Sequence, residues 1–340
     1  MKKILLATIL SSAMLIAQET PEVKTPEQIQ AELDKAQADF EIAQKMFIPW
    51  YTGPLITGSA NNVPAGKWNI QPYLFFLLDH AQYNDNRKSI NVPDIWTIQP
   101  LLVLQRGLNS WLDATLIQFG LFKWREGEKA QEYGDLNLTL GHQLVNETPY
   151  VPSIRVTIGE SFPTGHYQKL SPDKAGIDAS GSGAFATIVG LFVSKIFWEI
   201  PIHPVRVRFA GTYEIPNHDV LVKNFNAFGG GFGTNGDVSV GQTLNLDLGI
   251  EVSLTEHWVF ATDFAYAYSR ETTFKGNPGL TALGTPASVG GPSSDQFSIA
   301  PAIEYNISDR GGFIGGVWFS VTGRNSANFV GIVLSYTWLF

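Results

Sequence analysis

The sequence predicts an all-β fold: a closed antiparallel transmembrane β-barrel of about 12 strands, preceded by a short periplasmic amphipathic helix. Three observations predict it. The chain begins with a stretch typical of exported proteins, apolar and polar residues alternate repeatedly from residue 65 onwards, and the chain ends on a run rich in aromatic residues. Alternation with a period of two defines a strand with one apolar and one polar face.

Residues 1–17 are predicted to form a secretory signal peptide. Lys2 and Lys3 precede an apolar stretch at 4–17, and polar residues follow from Gln18, which is the order of regions found in such peptides. The stretch is too short to span a membrane comfortably as a helix. A buried N-terminal helix is the alternative interpretation.

The composition excludes several classes of protein. The chain has no cysteine, which excludes a disulfide framework and thiolate chemistry, and a net charge of -8 argues against a nucleic-acid partner. Aromatic residues make up 12% and charged residues 16%, which is too apolar for a disordered chain. After the signal peptide, the best candidate for a membrane-spanning helix is 184–202, but Lys195, Glu199 and Pro201 interrupt it. It therefore suits a membrane-spanning strand better than a helix.

Residues 18–64 are predicted to form a periplasmic segment with one helix over about 26–47. Thr25 and Gln28 form a capping box with Pro26 at the first helical position, and apolar residues follow at spacings of three and four. We expect a surface helix rather than a trimeric coiled coil. The segment is too short for the folded plug of a TonB-dependent transporter, so energised uptake is not expected. Whether the helix blocks the barrel or self-associates stays open.

Residues 65–340 are predicted to form the barrel. The clearest strand is 135–144, in which polar Asp135, Asn137 and Thr139 alternate with leucines. An even number of antiparallel strands is typical of bacterial outer-membrane barrels. The predicted strands lie near 67–78, 92–105, 111–124, 134–145, 151–162, 183–197, 205–214, 238–254, 257–269, 296–307, 312–322 and 328–340.

The connections between these strands alternate in length, as they do in outer-membrane barrels. The short ones are predicted to be periplasmic and the longer ones external, with both termini in the periplasm. The predicted external loops lie at about 79–91, 125–133, 163–182, 215–237, 270–295 and 323–327. The chain is therefore expected in the outer membrane of a Gram-negative-type bacterium.

The last strand is predicted to face lipid with Val330, Ile332, Leu334 and the aromatic residues that follow. Because a barrel closes by pairing its last strand with its first, this strand cannot fray. The C-terminal aromatic residues are predicted to form a signal that the barrel assembly machinery recognises, and to lie in an interfacial girdle. They are Tyr336, Trp338 and Phe340.

Several segments resemble a known family, the transporters of the MetA pathway of phenol degradation. The resemblance rests on GKWNIQPYLFF (66–76), FPTG at Phe162–Gly165, LTEHWVFATDFAYAY (254–268) and FSIAPAIEYNISDRGGFIGGVWFS (297–320). It covers most of the barrel but neither the helix nor the loop at 270–295. It implies an outer-membrane barrel that passes small molecules, including hydrophobic or aromatic compounds, and it supplies no catalytic or ligand-binding residue.

The alternation predicts a set of charged side chains in the lumen. Arg206 and Arg208 are expected near Glu251 and Asp247 in the periplasmic half of the barrel. The set is interpreted in two ways: as a constriction whose charges select solutes, or as a paired network that stiffens the barrel, which we favour slightly. Its members are Arg155, Arg206, Arg208, Asp247, Glu251, Asp263 and Glu304.

Enzymatic activity and bound cofactors are not expected. A lipid hydrolase needs serine and histidine on one wall, but His142 is predicted to face lipid and Ser153 the lumen. No histidine pair has the spacing of a metal site. The stretch 231–236 matches G-x-G-x-x-G, but a strand rather than a helix follows it, so we interpret it as a flexible external loop rather than a dinucleotide site.

These expectations together predict a passive channel for small molecules with a narrow lumen, since about 12 strands lie between filled and wide barrels. The alternative is a recognition or anchoring barrel with a blocked lumen, whose external loops, with Phe225, Phe228 and Phe232, bind a partner. An outer-membrane lipid hydrolase ranks lower. The expected partners are lipid, the assembly machinery and a small solute, in a monomer or a trimer.

Overall fold

The computed structural model describes residues 24–46, 53–197, 203–308 and 310–340. The predicted signal peptide lies outside the described residues. One helix, α1 (Pro26–Met46), is present near the position that the sequence predicts. Its capping box is formed: the Thr25 backbone N–H donates to Gln28 Oε1, and the Gln28 N–H donates to Thr25 Oγ1. Both bonds satisfy donors that a helix start leaves unpaired.

The main body is a closed antiparallel barrel of 12 strands, as predicted. Because β4 and β5 follow one another along the same edge of β3, they share one position in the ring. The barrel strands are β1 (Trp68–Tyr83), β2 (Ser89–Gly107), β3 (Leu112–Arg125), β4 (Glu128–Tyr133), β5 (Leu136–Val145), β6 (Ser153–Phe162), β7 (Ala186–Phe197), β8 (Val205–Pro216), β11 (Thr243–Ser253), β12 (Trp258–Ser269), β14 (Ser294–Ser308), β15 (Gly311–Arg324) and β16 (Ser326–Leu339).

The barrel closes where β1 pairs with β16. The ladder extends to the last residue, since Trp68 N–H donates to the Phe340 carbonyl and Phe340 N–H donates to the Trp68 carbonyl, each at 2.9 Å. Every backbone group inside a bilayer needs a partner within the protein. This pairing gives the backbone of Phe340 partners at the closing seam.

Burial alternates along the strands and separates a lumen face from a lipid face. In β16, Val333 and Ser335 are buried toward the lumen, whereas Ile332 and Leu334 are exposed on the outer surface. The same alternation exposes Leu140 of β5 and Ile158 of β6 on the outside. A closed sheet with an apolar outer surface is the β-structure that crosses a bilayer, so this is an outer-membrane barrel.

Several hairpins rise further on the external side than predicted. The predicted loop at 79–91 contracts to 84–88, between β1 and β2, and most of the predicted loop at 125–133 is strand β4. The turn from β3 to β4 contains only Glu126 and Gly127, both with positive φ. Two such residues are typical of the tight turn whose twist matches a hairpin.

The external loops also contain a second sheet, which the sequence analysis missed. It consists of β9 (Val220–Lys223), β10 (Asn235–Ser239) and β13 (Thr273–Asn277) in the order β13-β10-β9. Val222 and Val238 are fully buried against Phe274. The predicted strand at 238–254 is therefore wrong as one element, because it divides into β10 of this external sheet and β11 of the barrel.

The G-x-G-x-x-G stretch leads into this external sheet. Phe232 exchanges two backbone hydrogen bonds with Leu280, and β10 begins at Asn235. The stretch therefore pairs within a predicted external loop and continues into a strand rather than a helix. Among the described residues, none of the helices is long and apolar enough to cross a membrane.

Candidate functional site

A segment from the N-terminal side of the barrel crosses its lumen. We call residues 53–64 the lumen segment. The sequence analysis assigned these residues to the periplasm, but their contacts lie on inward-facing side chains of β3, β5, β6 and β12. Since β12 and β3 are six positions apart in the ring of 12 strands, the segment runs across the barrel rather than along one wall.

The first anchor of the lumen segment is Asp263 of β12. Its carboxylate accepts hydrogen bonds from the Thr57 backbone N–H at 2.9 Å, the Thr57 hydroxyl at 2.6 Å and the Ile56 N–H at 3.2 Å. Three donors compensate a carboxylate that is fully buried. Asp263, predicted from alternation as a lumen charge, therefore binds the protein's own chain.

Beside this carboxylate, Leu55 anchors the lumen segment by packing. Its side chain is 2% exposed and belongs to an apolar cluster on the inner face of four neighbouring strands. Burying a leucine side chain contributes about 1.5–3 kcal/mol. The other buried members of the cluster are Ala261, Ala300, Ala302, Ile314 and Val333.

The second anchor of the lumen segment is polar and lies on the opposite wall. Asp113 Oδ2 accepts from the Val63 N–H at 3.1 Å, and Gln143 Oε1 accepts from the Asn62 N–H at 2.8 Å. On β6, Arg155 Nε donates to Asn62 Oδ1 at 2.7 Å. The backbone of the segment thus pairs with side chains and not with a neighbouring strand.

Ser153, predicted to face the lumen, extends this anchor. Its hydroxyl lies 2.6 Å from Asn61 Oδ1 and 2.9 Å from the Ala60 carbonyl oxygen, and Gln143 Nε2 donates to the same carbonyl at 3.0 Å. The side chain is completely buried. Its position is explained by binding the lumen segment, and it has no histidine among these partners.

Between the two anchors, Gly58 passes close to Phe192 of β7. A Cβ atom on Gly58 would lie 2.8 Å from the Phe192 ring, closer than van der Waals contact allows. A glycine is therefore required for this approach unless the ring moves. The contact brings the middle of the lumen segment against a third part of the wall.

Two buried ion pairs lie beside the lumen segment. Arg155 Nη2 is 2.7 Å from Asp113 Oδ1, and Arg208 Nε is 2.5 Å from Glu251 Oε2. All four side chains are at least nine-tenths buried. Because an unpaired buried charge is strongly unfavourable, these pairs keep two guanidinium groups inside the barrel without an excess of positive charge.

The structure places the seven predicted lumen residues on inward-facing positions, but it does not bring all of them together. Arg206 lies opposite Glu251, and Arg208 binds Glu251, as the neighbouring strands suggested. Asp247 lies opposite Ala210 instead and forms no ion pair with Arg206 or Arg208. Glu304 is fully buried on β14. Whether these charges form a constriction stays a prediction.

Asp113 and Glu214 were missing from the predicted set. Both occupy positions within predicted strands, and Asp113 is in phase with the inward-facing Thr115. The alternation alone could therefore have identified Asp113. Its contact with the lumen segment could not be identified this way, because the two partners lie 50 positions apart in the chain.

The lumen has two chemically different walls. On one wall, aromatic rings of β1, β15 and β16 form a continuous row. The ring centroids are 5.7 Å apart for the stacked pair Tyr73 and Phe75, 6.2 Å apart for Phe75 and Trp318, and 4.7 Å apart for Trp318 and Phe329. The other wall presents hydroxyl and amide groups from β3, β5, β6, β8 and β11. These are Thr115, Asn137, Thr139, Thr157, Thr212 and Asn245.

A cavity of about 440 Å³ lies in the lumen. The lumen segment borders it with Ile56, Thr57 and Asn62, and the wall contributes Tyr73 and Phe192 among others. This volume is within the range of small-molecule sites, which combine apolar surface with a few polar groups. The cavity can therefore accommodate a small organic molecule next to the segment.

The other predicted sites are placed as follows. His142 faces outward against Trp111, with the ring centroids 5.0 Å apart, and is not near a candidate nucleophile in the lumen. Among the described residues, no cluster of metal-ligating side chains is present. Tyr336 and Trp338 stack on the outer face at 6.2 Å, and Phe313 lies 4.6 Å from Tyr336.

Comparison with solved structures supports the fold. An outer-membrane channel from Pseudomonas putida F1 is similar to this chain with a TM-score of 0.63 and 13% identity, over 83% of this chain and 98% of that chain. The NanC porin has a TM-score of 0.42 and 7% identity, over 79% and 98%. The CymD monoaromatic hydrocarbon channel has a TM-score of 0.35 and 11% identity, over 81% of this chain and 89% of that chain.

At this identity, the first comparison shows the fold alone, and the other two scores are too low to support an argument. No family model matches the chain, and no curated protein matches it. The resemblance to the transporters of the MetA pathway therefore stays a prediction that rests on the quoted segments.

Proposed function

We propose that this chain is an outer-membrane channel through which small molecules, including hydrophobic or aromatic compounds, diffuse passively, and that the lumen segment closes it. The observation that carries the proposal is the cavity of about 440 Å³ beside a segment that no β-ladder ties to the wall. Side-chain hydrogen bonds and one leucine hold the segment. Such contacts can be exchanged without breaking the barrel.

The contacts that close the lumen are separate from the contacts that hold the barrel together. The barrel strands are held by continuous ladders from β1 through β16. The lumen segment is held at two anchors, each of which contributes a few kcal/mol. A difference of about 1.4 kcal/mol changes an equilibrium tenfold, so modest changes at either anchor shift the balance between a closed and an open lumen.

The experiment compares the purified wild-type chain with the double variant Leu55→Ala/Asp263→Asn in planar bilayers and in liposome-swelling assays. The variant weakens the anchor on β12 while leaving the barrel ladders unchanged. We expect rare openings for the wild type and at least tenfold more conductance and solute flux for the variant. Absence of ion current and solute flux in both proteins would overturn the channel.

A recognition or anchoring barrel is the second candidate. The observation that favours it is the external sheet, next to which Leu283 is 90% and Phe232 56% exposed. Exposed apolar groups on an ordered external surface are typical of partner binding. In this alternative the lumen segment blocks the lumen permanently, and the double variant would show no flux while the external loops bind a partner.

We also propose that the barrel assembly machinery recognises Tyr336, Trp338 and Phe340. Support comes from the last residue, which is paired with Trp68 at the closing seam, and from the outward direction of the aromatic residues. No catalytic role is proposed. Deleting Phe340 is expected to reduce folded barrel in outer-membrane fractions, measured by the gel mobility of unheated samples, and unchanged yield would contradict this role.

A further inference from the structure

Three buried polar atoms on the cavity wall have no hydrogen-bond partner: Asn69 Oδ1, Asn137 Oδ1 and Thr337 Oγ1. Asn69 is 9% exposed and Thr337 2% exposed. The amide nitrogen of Asn69 already donates to Gln105 Oε1 at 2.8 Å, so the atom that remains is an acceptor. Buried polar atoms without partners are unfavourable. The two amide oxygens can only accept a hydrogen bond, whereas the Thr337 hydroxyl can accept or donate one.

The side chains that line the cavity carry one negative charge that no positive charge balances. Of the charged side chains that line it, Arg155 is neutralised by Asp113 and Arg208 by Glu251. Glu214 also lines the cavity, and within the described part of the chain its carboxylate forms no ion pair or hydrogen bond. The unmatched charge on this wall is therefore negative.

The neighbouring strand adds a second carboxylate. Asp247 of β11 faces the lumen, and between its level and that of Glu214 the Asn245 amide approaches Thr212 Oγ1 of β8 at 3.4 Å. Asp247 also forms no ion pair among the described residues. A positive charge in this part of the lumen is attracted, and a negative charge is repelled.

The cavity also has an apolar surface that can hold a ring or a short alkyl chain. Tyr73, Ile117 and Phe192 line it at different positions around the wall. An aromatic ring can stack on Tyr73 or Phe192 while its substituent reaches the acceptors. Apolar surface with a few convergent polar groups is the usual composition of small-molecule sites.

On the basis of the proposed channel function, we infer that the cavity selects by charge: it binds small amphipathic molecules that donate hydrogen bonds and are cationic or neutral, and it disfavours organic anions. A positive charge is favoured by Glu214, and an ammonium or hydroxyl group can donate to the hydroxyl and amide oxygens that line the cavity. A carboxylate is disfavoured because its negative charge is repelled by the unpaired Glu214 carboxylate.

The test measures binding to the purified full-length protein in detergent by isothermal titration calorimetry. The probes are benzylamine, benzyl alcohol and benzoate at pH 7, which share a ring and differ in charge and in donors. We expect benzylammonium to bind most tightly, benzyl alcohol next, and benzoate at least tenfold more weakly than benzylammonium. Benzoate binding as tight as benzylammonium, or no binding of any probe, would overturn the inference.

A matched pair of variants tests the role of Glu214. Glu214→Gln preserves shape and removes the charge, and it is expected to lower the affinity ratio of benzylammonium to benzyl alcohol about fivefold. Glu128→Gln, on the external hairpin, is the control and should leave the ratio unchanged. Circular dichroism and the gel mobility of unheated samples check folding. An unchanged ratio in a folded Glu214→Gln protein contradicts the inference.

The test also separates this inference from the channel itself. If the predicted order of affinities is found but bilayers show neither ion current nor solute flux, the cavity is a selective binding site in a barrel that does not conduct. If solutes pass but the three probes bind equally, the channel function stands and the charge preference is wrong.

Discussion

The two walls of the lumen hold the same segment by different physics. On the apolar wall, Leu55 packs among apolar side chains of β12 and β14 to β16, and hydrogen bonds to Asp263 hold the two residues that follow it. On the polar wall, the backbone N–H groups of Asn62 and Val63 donate to side chains of β5 and β3, and Arg155 of β6 donates to the Asn62 side chain. The apolar wall therefore contributes burial of an apolar side chain, and the polar wall fixes the position of the segment along the barrel.

The difference matters for how the lumen opens. Water can replace hydrogen bonds on the polar wall when the lumen segment moves, so their net contribution is about 0.5–1.5 kcal/mol each. Water cannot replace the packing of Leu55, whose exposure carries the full hydrophobic cost. We therefore expect variants of the apolar wall to change opening more than equally conservative variants of the polar wall.

The largest change in free energy is expected from Asp113→Ala on the polar wall, where it affects the stability of the fold rather than the opening of the lumen. It leaves Arg155 buried without its carboxylate and removes the acceptor for Val63, which should lower the free energy of unfolding by about 3–5 kcal/mol. Urea unfolding of the barrel in detergent micelles measures it. Glu128→Ala on the external hairpin is the control, and equal stability of the two variants would contradict the buried pair.

The next effect is expected from Leu55→Ala on the apolar wall. The substitution removes about 2–3 kcal/mol of packing from the closed lumen while the barrel stays folded. The open probability in single-channel recordings should increase at least tenfold. Leu140→Ala, on the lipid face, removes the same atoms outside the lumen and should leave the open probability unchanged. Equal values for both variants would show that Leu55 does not hold the segment.

A smaller effect is expected from Asp263→Asn, at the border of the two walls. The amide keeps the shape but weakens hydrogen bonds to Ile56 and Thr57, which we estimate at about 1–1.5 kcal/mol. Amide hydrogen exchange at residues 56 and 57 should become about tenfold faster. Asp237→Asn in the external sheet is the control, and unchanged exchange in Asp263→Asn would argue against this anchor.

The smallest effect is expected from Gly58→Ala, between the walls. The added Cβ would meet the Phe192 ring at 2.8 Å, and a small rotation of that ring relieves most of the strain, at a cost of about 1 kcal/mol. Exchange at residues 57–59 should increase a few-fold, and Phe192→Leu should restore it. Gly291→Ala has open space around it and serves as control.

The sequence was sufficient for the barrel because alternation is a local property. The periodicity of 135–144 predicts β5 with its leucines on the lipid face, and the last strand could be oriented in the same way. Thr25 and Gln28 likewise predict the start of α1, since a capping box involves residues three positions apart. Each of these features is determined by neighbouring residues.

The lumen segment could not be predicted, because its partners are distant in the chain. Thr57 and Asp263 are separated by 206 positions, and residues 53–64 have no period that distinguishes a lumen segment from a periplasmic linker. The external sheet was missed for a similar reason. Its strands are short, with only four residues in β9. β9 pairs with β10 across a loop, and β10 pairs with β13 across the barrel strands β11 and β12.

Closure by the lumen segment is tested most directly by cross-linking the segment to the barrel wall. The chain has no native cysteine, and the side chains of Asn61 and Ser153 are in contact at 2.6 Å. Asn61→Cys/Ser153→Cys therefore brings two thiols close together, and thiol titration after oxidation verifies that the disulfide has formed. Single-channel recordings should show no openings after oxidation and openings after reduction, with both single-cysteine variants insensitive. Equal opening in the oxidised and reduced protein would contradict closure by the lumen segment.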